Sequence, residues 1–126
     1  MPKNNLFLAR TGENLALDFL RTKKYKILEK NYRLRLGELD IIAKDKDTIC
    51  FIEVKTRNSD RFGSPSEAVN KAKQRKICQV ALLYLKSNGL LEKKARFDVI
   101  SISGIGQEAR IDLIKNAFEL DAAYTY

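Results

Sequence analysis

The fold is decided by residues 38–57, which read ELDIIAKDKDTICFIEVKTR. Two runs rich in β-branched and apolar residues flank the polar pair Lys46-Asp47. Such runs predict strands, here over residues 38–44 and 48–57, and the short polar turn between them predicts a hairpin. The second strand is strongly apolar, so we expect it near the centre of a sheet.

The sequence on both sides of this hairpin predicts further elements from hydrophobic spacing and from turn residues. A capping pattern at Ser64, Pro65 and Glu67 is typical of a helix start, and Asn88-Gly89 is typical of a helix stop. The predicted elements are a helix over about residues 5–22, strands over 25–35, 38–44 and 48–57 with a turn at Gly37, a helix from Ser64 to Asn88, a strand over 96–102 and a short strand or turn near 111–114.

This order of elements, αβββαβ followed by a short last strand, predicts an α/β fold in a single domain over residues 1–126. A strand, a long helix and a further strand form a right-handed crossover, which makes the third and fourth strands parallel. Because the hairpin strands are antiparallel, we expect a mixed central sheet flanked by helices.

The chain is basic, with 24 lysines and arginines against 16 aspartates and glutamates, a net charge of +8. A small domain with this charge is expected to bind polyanions, nucleic acid first and an anionic membrane surface second. The charge is uneven. Residues 38–53 hold five acidic and two basic groups. The flanking segments are basic: residues 1–37 hold three acidic and nine basic groups, and residues 54–76 hold two acidic and seven basic groups. This pattern favours a cation-binding pocket within a polyanion-binding surface.

Several common kinds of site are excluded by composition. The chain has no histidine, which rules out Ser-His-Asp triads, histidine-based nucleases and His-ligated zinc. Its two cysteines, Cys50 and Cys78, are too few for a zinc knuckle or a disulfide scaffold. No GxxxxGK[ST] phosphate loop occurs, and no apolar run approaches the ~20 residues of a membrane span. The first residues lack the apolar stretch of a signal peptide, so we expect a reducing, cytoplasmic location and no membrane partner.

Acidic residues and a lysine are predicted to meet at the hairpin. Glu53 and Lys55 are two residues apart on one strand, so their side chains share a face. Asp40 lies on the partner strand and becomes a neighbour of Glu53 if the register allows. Glu13 stands in the apolar stripe of the first helix, from which it can lean over the same place.

Converging carboxylates repel one another in a pocket of low dielectric constant, and a bound divalent cation removes that penalty. Oxygen ligands without histidine or cysteine select Mg²⁺ or Mn²⁺, which would polarise a phosphate, while Lys55 stabilises the developing charge or positions water. The pattern therefore indicates a metal-assisted phosphodiesterase. An acid and a lysine at this spacing, taken alone, usually form a surface ion pair, and Glu13 is alternatively a buried partner of Arg33 or Lys55.

The spacing of Asp40 and Glu53-Val54-Lys55 resembles the signature of the PD-(D/E)XK (restriction-endonuclease-like) nuclease superfamily, although no proline precedes Asp40. Nearly the whole chain resembles the YraN-like family of small bacterial proteins within that superfamily. The matching pieces are Gly12-Glu13, Ala16, Asn31-Tyr32-Arg33, residues 37–43 (GELDIIA), residues 51–57 (FIEVKTR), Phe62-Gly63, Glu67-Ala68-Val69 with Lys73, Arg96-Phe97-Asp98-Val99 and Asn116-Ala117-Phe118.

The resemblance implies a restriction-endonuclease-like fold with metal ligands at Asp40, Glu53 and the Val54 carbonyl, and with Lys55 catalytic. The Holliday-junction resolvase branch of the superfamily also uses an acid on its first helix, which corresponds to Glu13. By analogy, the resemblance suggests an Mg²⁺-dependent (or Mn²⁺-dependent) endonuclease that hydrolyses phosphodiesters in DNA, with branched or structured DNA as the substrate.

Basic residues near this site suit phosphate contacts, and the candidates are Arg33, Arg35, Arg57, Arg61 and Lys73. The alternatives are a solvated basic face and, for Lys73, a stem that covers apolar surface. Two other functions stay open: a nucleic-acid-binding adaptor that keeps the fold without turnover, and a module that binds an acidic protein. Nucleases that cut both strands are often two-fold dimers, so a homodimer also stays open.

Overall fold

A computed structural model of the chain describes residues 2–57, 70–105 and 108–118, with side chains from Arg10 onward. The elements in chain order are α1 (Pro2–Thr22), β1 (Lys26–Leu34), β2 (Gly37–Asp45), β3 (Thr48–Arg57), α2 (Lys71–Ser87), β4 (Lys94–Ser103) and β5 (Arg110–Phe118). Within the described residues, no helix combines the length and the apolar character that a bilayer crossing requires.

The five strands form one sheet in the order β1-β2-β3-β4-β5. The strands β3 and β4 are parallel, and every other neighbouring pair is antiparallel. This confirms the α/β class, the mixed sheet and the parallel crossover that the order of elements predicts. The last strand, β5, is longer than predicted. The pairing of β4 with β5 shifts register between Phe97 and Val99, and Asn116 of β5 has a left-handed backbone (φ 53°). Irregularities of this kind interrupt the alternation of inward and outward side chains from which a strand is predicted.

One helix covers each face of the sheet, and β3 contributes to the core on both sides. Its side chains alternate, so that Cys50 and Ile52 pack with α1 whereas Ile49 and Phe51 pack with α2. All four of these residues are buried. Each large apolar side chain removed from water contributes about 1.5–3 kcal/mol to the stability of the fold. The strand β3 is therefore firmly anchored, and it supports the residues in its second half, which include Glu53 and Lys55.

The helix α2 begins at Lys71, not at Ser64. Its N-cap is Asn70, whose backbone is extended (φ −70°, ψ 169°) and whose Oδ1 accepts a hydrogen bond from the backbone N of Lys73 at 2.9 Å. An extended residue ends any helical run before it, so the Ser64 cap does not start this helix; Ser64 itself lies outside the described residues. At the other end Asn88 is the C-cap and Gly89 is left-handed (φ 67°), which confirms the predicted stop.

A close approach at Gly12 brings α1 down onto the sheet. A Cβ atom built at Gly12 would overlap the Thr56 Cγ2 methyl and lie 3.9 Å from Ile102 Cδ1. Only a residue without a side chain lets the helix come this near to β3 and β4. The consequence is that Glu13, the next residue, is held against the end of the hairpin.

Candidate active site

The acidic pair of the hairpin lies where the β2–β3 ladder stops. The paired residues run from Asp45 and Thr48 to Ile41 and Ile52, and Asp40 and Glu53 come one step further along. The Oδ2 atom of Asp40 accepts a hydrogen bond from the Val54 N at 2.8 Å. This side chain therefore satisfies a backbone donor that the opened ladder leaves free, and it holds the Asp40 carboxylate beside Glu53.

A change of face in β2 puts Asp40 between the two sides of the sheet. Leu39 and Ile41 are two residues apart and would share a face in a regular strand, yet Leu39 belongs to the core under α2 and Ile41 to the core under α1. Opposite this point, Asn31 of β1 has a left-handed backbone (φ 49°), and no pairing joins it to β2. Asp40 thus stands where groups from both faces can approach it.

Burial and mutual repulsion make the acidic groups hard to ionise. Burial, and then the charge of Asp40, raise the pKa of Glu53 to about 7 against hydrogen bonding by Lys73. Burial also raises the pKa of Asp40, although the Val54 N–H and the lysines Lys73 and Lys55 favour its charged form. On the α1 side, burial and the charge of Asp40 raise the pKa of Glu13, whose carboxylate accepts a hydrogen bond from Asn31. Such a cluster favours a bound cation.

Two lysines supply positive charge beside these acids. The Lys73 Nζ lies 2.9 Å from Glu53 Oε2, and the Glu53 side chain is only 4% exposed. Burial, hydrogen bonding to Lys73 and the Lys73 charge lower the pKa of Lys55. Burial acts to lower the pKa of Lys73 as well, but hydrogen bonds to Lys55 and Glu53 and the charges of Glu53 and Asp40 outweigh it and raise that pKa. Lys55 is therefore the lysine that gives up its proton more readily.

The predicted acid–lysine set is brought together in part. Asp40, Glu53 and Lys55 interact as neighbours, and Glu13 interacts with Asp40. Across residues 10–57, 70–105 and 108–118, however, no three acidic or cysteine side chains stand close enough together to hold one metal ion. Glu13 is directed to Asn31, and Glu53 is directed to Lys73, so the acids meet at Asp40 rather than at a common point.

The predicted phosphate-binding residues have different surroundings. The Arg33 Nη2 atom lies 3.4 Å from Glu38 Oε1 on the protein surface, and the hydrogen-bond partner of Glu13 is Asn31. Arg35 is exposed in the β1–β2 turn, and Arg57 is the partly exposed last residue of β3. Arg61 lies outside the described residues. Lys73 belongs to the acidic pocket, where it pairs with Glu53, rather than to a solvated basic face or an apolar surface.

A second buried charge cluster is structural. Arg96 Nε donates to both carboxylate oxygens of Asp98 at 3.1 and 3.0 Å, and its Nη2 donates to Asp45 and to the hydroxyl of Tyr25. Asp98 also accepts from the Asn116 backbone N at 3.0 Å. This network ties β4 to β5 and to the end of β2.

Some residues of the site carry no strong signal in the sequence. Asn31 takes part through its left-handed backbone, a conformation for which asparagine is several-fold enriched, so the residue type is a weak sign. Gly12 acts through a close approach that only packing reveals. Asn70, in contrast, is an ordinary capping residue just before a helical run. The sequence prediction favoured Ser64 over Asn70 as the start of the helix because the capping pattern at Ser64 is stronger.

The fold and the site define a class: small α/β domains in which a mixed five-stranded sheet opens at a hairpin to present paired acids and lysines. The chain belongs to the uncharacterised protein family UPF0102, the YraN-like family that its sequence resembles, and the family model matches residues 12–102. The match extends from Gly12 to Ile102 and so includes Glu13, Asp40, Glu53 and Lys73.

Relatives of this family span almost the same length. The UPF0102 protein of Syntrophus aciditrophicus is 49% identical over 116 residues, which is 92% of this chain and 91% of that protein. The UPF0102 protein of Geobacter metallireducens is 50% identical over 120 residues, 95% and 98% of the two chains. That of Alkaliphilus oremlandii is 50% identical over 116 residues, 90% and 99% of the two chains.

Proposed function

We propose that this protein is a metal-dependent endonuclease that hydrolyses phosphodiesters in DNA. The observation that carries the proposal is the pair formed by the partly buried Asp40 and the buried Glu53, with Lys55 beside it, at the open end of the hairpin. A fold gains nothing in stability from two neighbouring carboxylates with little access to water, so their placement favours a function that uses their charge.

The donor set suits a hard divalent cation. Asp40 and Glu53 offer carboxylate oxygens whose ionisation is costly without a counter-charge, and oxygen donors of this kind select Mg²⁺ or Mn²⁺. In this proposal Asp40, Glu53 and the Val54 carbonyl hold the ion, and Glu13 approaches it from the α1 side. When bound, the ion supplies a Lewis acid for the phosphate oxygen and a lower pKa for water.

The residues of the chain supply the remaining chemistry. The Val54 N–H fixes the orientation of the Asp40 carboxylate through a 2.8 Å hydrogen bond. In this proposal Lys55, the lysine with the lowered pKa, would accept a proton from the attacking water or stabilise negative charge at the phosphate. Glu13 raises the negative charge of the pocket from the other face.

Nucleic acid suits the charge of the molecule, and DNA is the form that the family resemblance suggests. The net charge of +8 favours a polyanion, and exposed Arg35 lies in the turn beside β2, the strand that carries Asp40. Branched or structured DNA is the substrate that we expect to be cut, with the protein acting either alone or as a two-fold dimer.

The test is cleavage of a labelled panel of linear, flapped and four-way-junction DNA, with single- and double-stranded RNA included, in Mg²⁺ and in Mn²⁺. We expect metal-dependent cleavage of at least one branched DNA, lost in Lys55→Ala and retained in Lys94→Ala, an exposed lysine at the start of β4. No cleavage of any substrate with either metal would contradict the proposal, and cleavage that survives Lys55→Ala would contradict the role of Lys55.

A second function, a non-catalytic adaptor that binds nucleic acid, is favoured by one observation. In the described parts of the chain no group of three metal-ligating side chains is assembled, and Lys73 neutralises Glu53 directly. The adaptor is expected to bind DNA equally well before and after Asp40→Asn. Its affinity should fall with salt, with about one unit of log–log slope lost for each phosphate contact removed, as in Arg35→Ala.

A further inference from the structure

The ion pair between Lys73 and Glu53 joins a half-exposed cation to a buried anion. The Lys73 Nζ lies 2.9 Å from Glu53 Oε2, with the lysine side chain 41% exposed and the glutamate side chain 4% exposed. Glu53 is thus held inside the protein, whereas the lysine reaches it from the surface along a flexible stem. The two partners differ in freedom: only the lysine can leave without unfolding the site.

The position of Lys73 on α2 is unfavourable apart from this contact. It is in the first turn of the helix, which holds no acidic residue, and a cation there faces the positive end of the helix dipole. Its amino group also lies within hydrogen-bonding reach of Lys55. Attraction to Glu53 and Asp40, together with the hydrogen bond to Lys55, therefore keeps the ammonium in the pocket against the unfavourable helix dipole.

The ammonium contacts one of the two carboxylate oxygens that Glu53 could offer to a metal ion. A divalent cation held by Glu53 takes a carboxylate oxygen at about 2.0–2.6 Å and brings its own positive charge. An ammonium 2.9 Å from the same carboxylate is then repelled at close range. The lysine and the metal therefore compete for Glu53.

We propose that Lys73 is the resident counter-ion of the metal-free site, and that a divalent cation binds by displacing its ammonium from Glu53. This inference rests on the proposed metal-dependent function and adds a positioning residue to it. Lys73 holds the Glu53 carboxylate in place until the metal arrives, and the half-exposed stem lets the ammonium move into solvent.

The experiment is calorimetric titration with Mn²⁺ of the wild type, Lys73→Met, Lys73→Arg and Glu53→Gln at one pH and ionic strength. Lys71→Met is the matched control, because Lys71 is an exposed lysine in the same first turn of α2. Removing the competing ammonium is expected to tighten Mn²⁺ binding by about tenfold in Lys73→Met. Lys73→Arg retains a cation and is expected to bind no more tightly than the wild type, and Lys71→Met is expected to stay within about twofold.

A second measurement separates displacement from misfolding. Thermal unfolding in chelator is expected to show a lower midpoint for Lys73→Met than for the wild type, and Mn²⁺ is expected to raise the midpoint of that variant by the larger amount. Tighter binding together with this larger rise supports the proposal. The proposal is also supported if Lys73→Met binds Mn²⁺ and the wild type does not.

Two results would overturn it, and they are distinguishable. If the wild type binds Mn²⁺, Glu53→Gln does not, and Lys73→Met binds equally or more weakly, then Lys73 does not compete and the metal site itself stands. If neither the wild type nor Lys73→Met binds Mn²⁺, the proposed metal-dependent function and the counter-ion role fall together.

Discussion

The substitution Glu53→Gln is expected to change how stability depends on pH in the metal-free protein. Burial and the charge of Asp40 raise the pKa of Glu53 from 4.5 to about 7 in the folded state. The folded protein therefore binds this proton more tightly than the unfolded chain does. Stability from this group is fully present below pH 4.5 and is lost as the pH rises through about 7.

The size of the effect follows from the same shift. The difference between 4.5 and about 7, at about 1.4 kcal/mol per pH unit, corresponds to about 3–4 kcal/mol. The Glu53 side chain is 4% exposed, so solvent screening removes little of this. Glutamine has nothing to ionise. The free energy of unfolding of Glu53→Gln, relative to the wild type, should therefore rise by about 3 kcal/mol between pH 4 and pH 8.

The assay is urea unfolding followed by circular dichroism in chelator, at half-unit steps from pH 4 to pH 8. The contact with Lys73 favours only the ionised form of Glu53, so its effect is already contained in the raised pKa. The change of the stability difference with pH is therefore the quantity that tests the argument. Glu92→Gln, which removes an acidic charge from an exposed loop, controls for net charge. Parallel pH profiles for the wild type and Glu53→Gln would refute the buried-carboxylate reasoning, as would the same effect in Glu92→Gln.

Three further outcomes are expected. Asp98→Ala should lower the free energy of unfolding by about 3–5 kcal/mol in urea, since it leaves the Arg96 guanidinium without its most buried partner; a loss under about 1 kcal/mol would show that the pair is dispensable. Gly12→Ala should cost about 1–3 kcal/mol through overlap with the Thr56 methyl, and adding Thr56→Ser should recover most of it; equal losses in the single and double variants would disprove that contact. Saturating Mn²⁺, at about 100 times its dissociation constant, should stabilise the wild type by about 3 kcal/mol and leave Asp40→Asn unchanged in differential scanning fluorimetry; equal stabilisation of both would place the metal elsewhere.

The hairpin was predictable because its determinants are local. The bounds of β3, Thr48–Arg57, follow from an apolar, β-branched run and from the polar Lys46-Asp47 turn, and the structure agrees with them residue for residue. The pairing of Asp98 with Arg96 was predictable for the same reason, since side chains two apart on a strand share a face. The start of α2 was not predictable in this way, because Ser64 and Asn70 are both residue types that cap helices.

The sequence by itself determined the element order, the mixed sheet and the neighbouring positions of Asp40, Glu53 and Lys55, because alternation along strands and turn chemistry act over a few residues. Only the tertiary structure decided which groups join them. The salt bridge from Lys73 to Glu53 spans twenty residues and depends on how α2 packs across the sheet. The change of face at Asp40 lies opposite the left-handed backbone of Asn31 in the neighbouring strand. Contacts of this kind come from packing between segments that are distant in the sequence. The spacing of residues within one segment does not predict them.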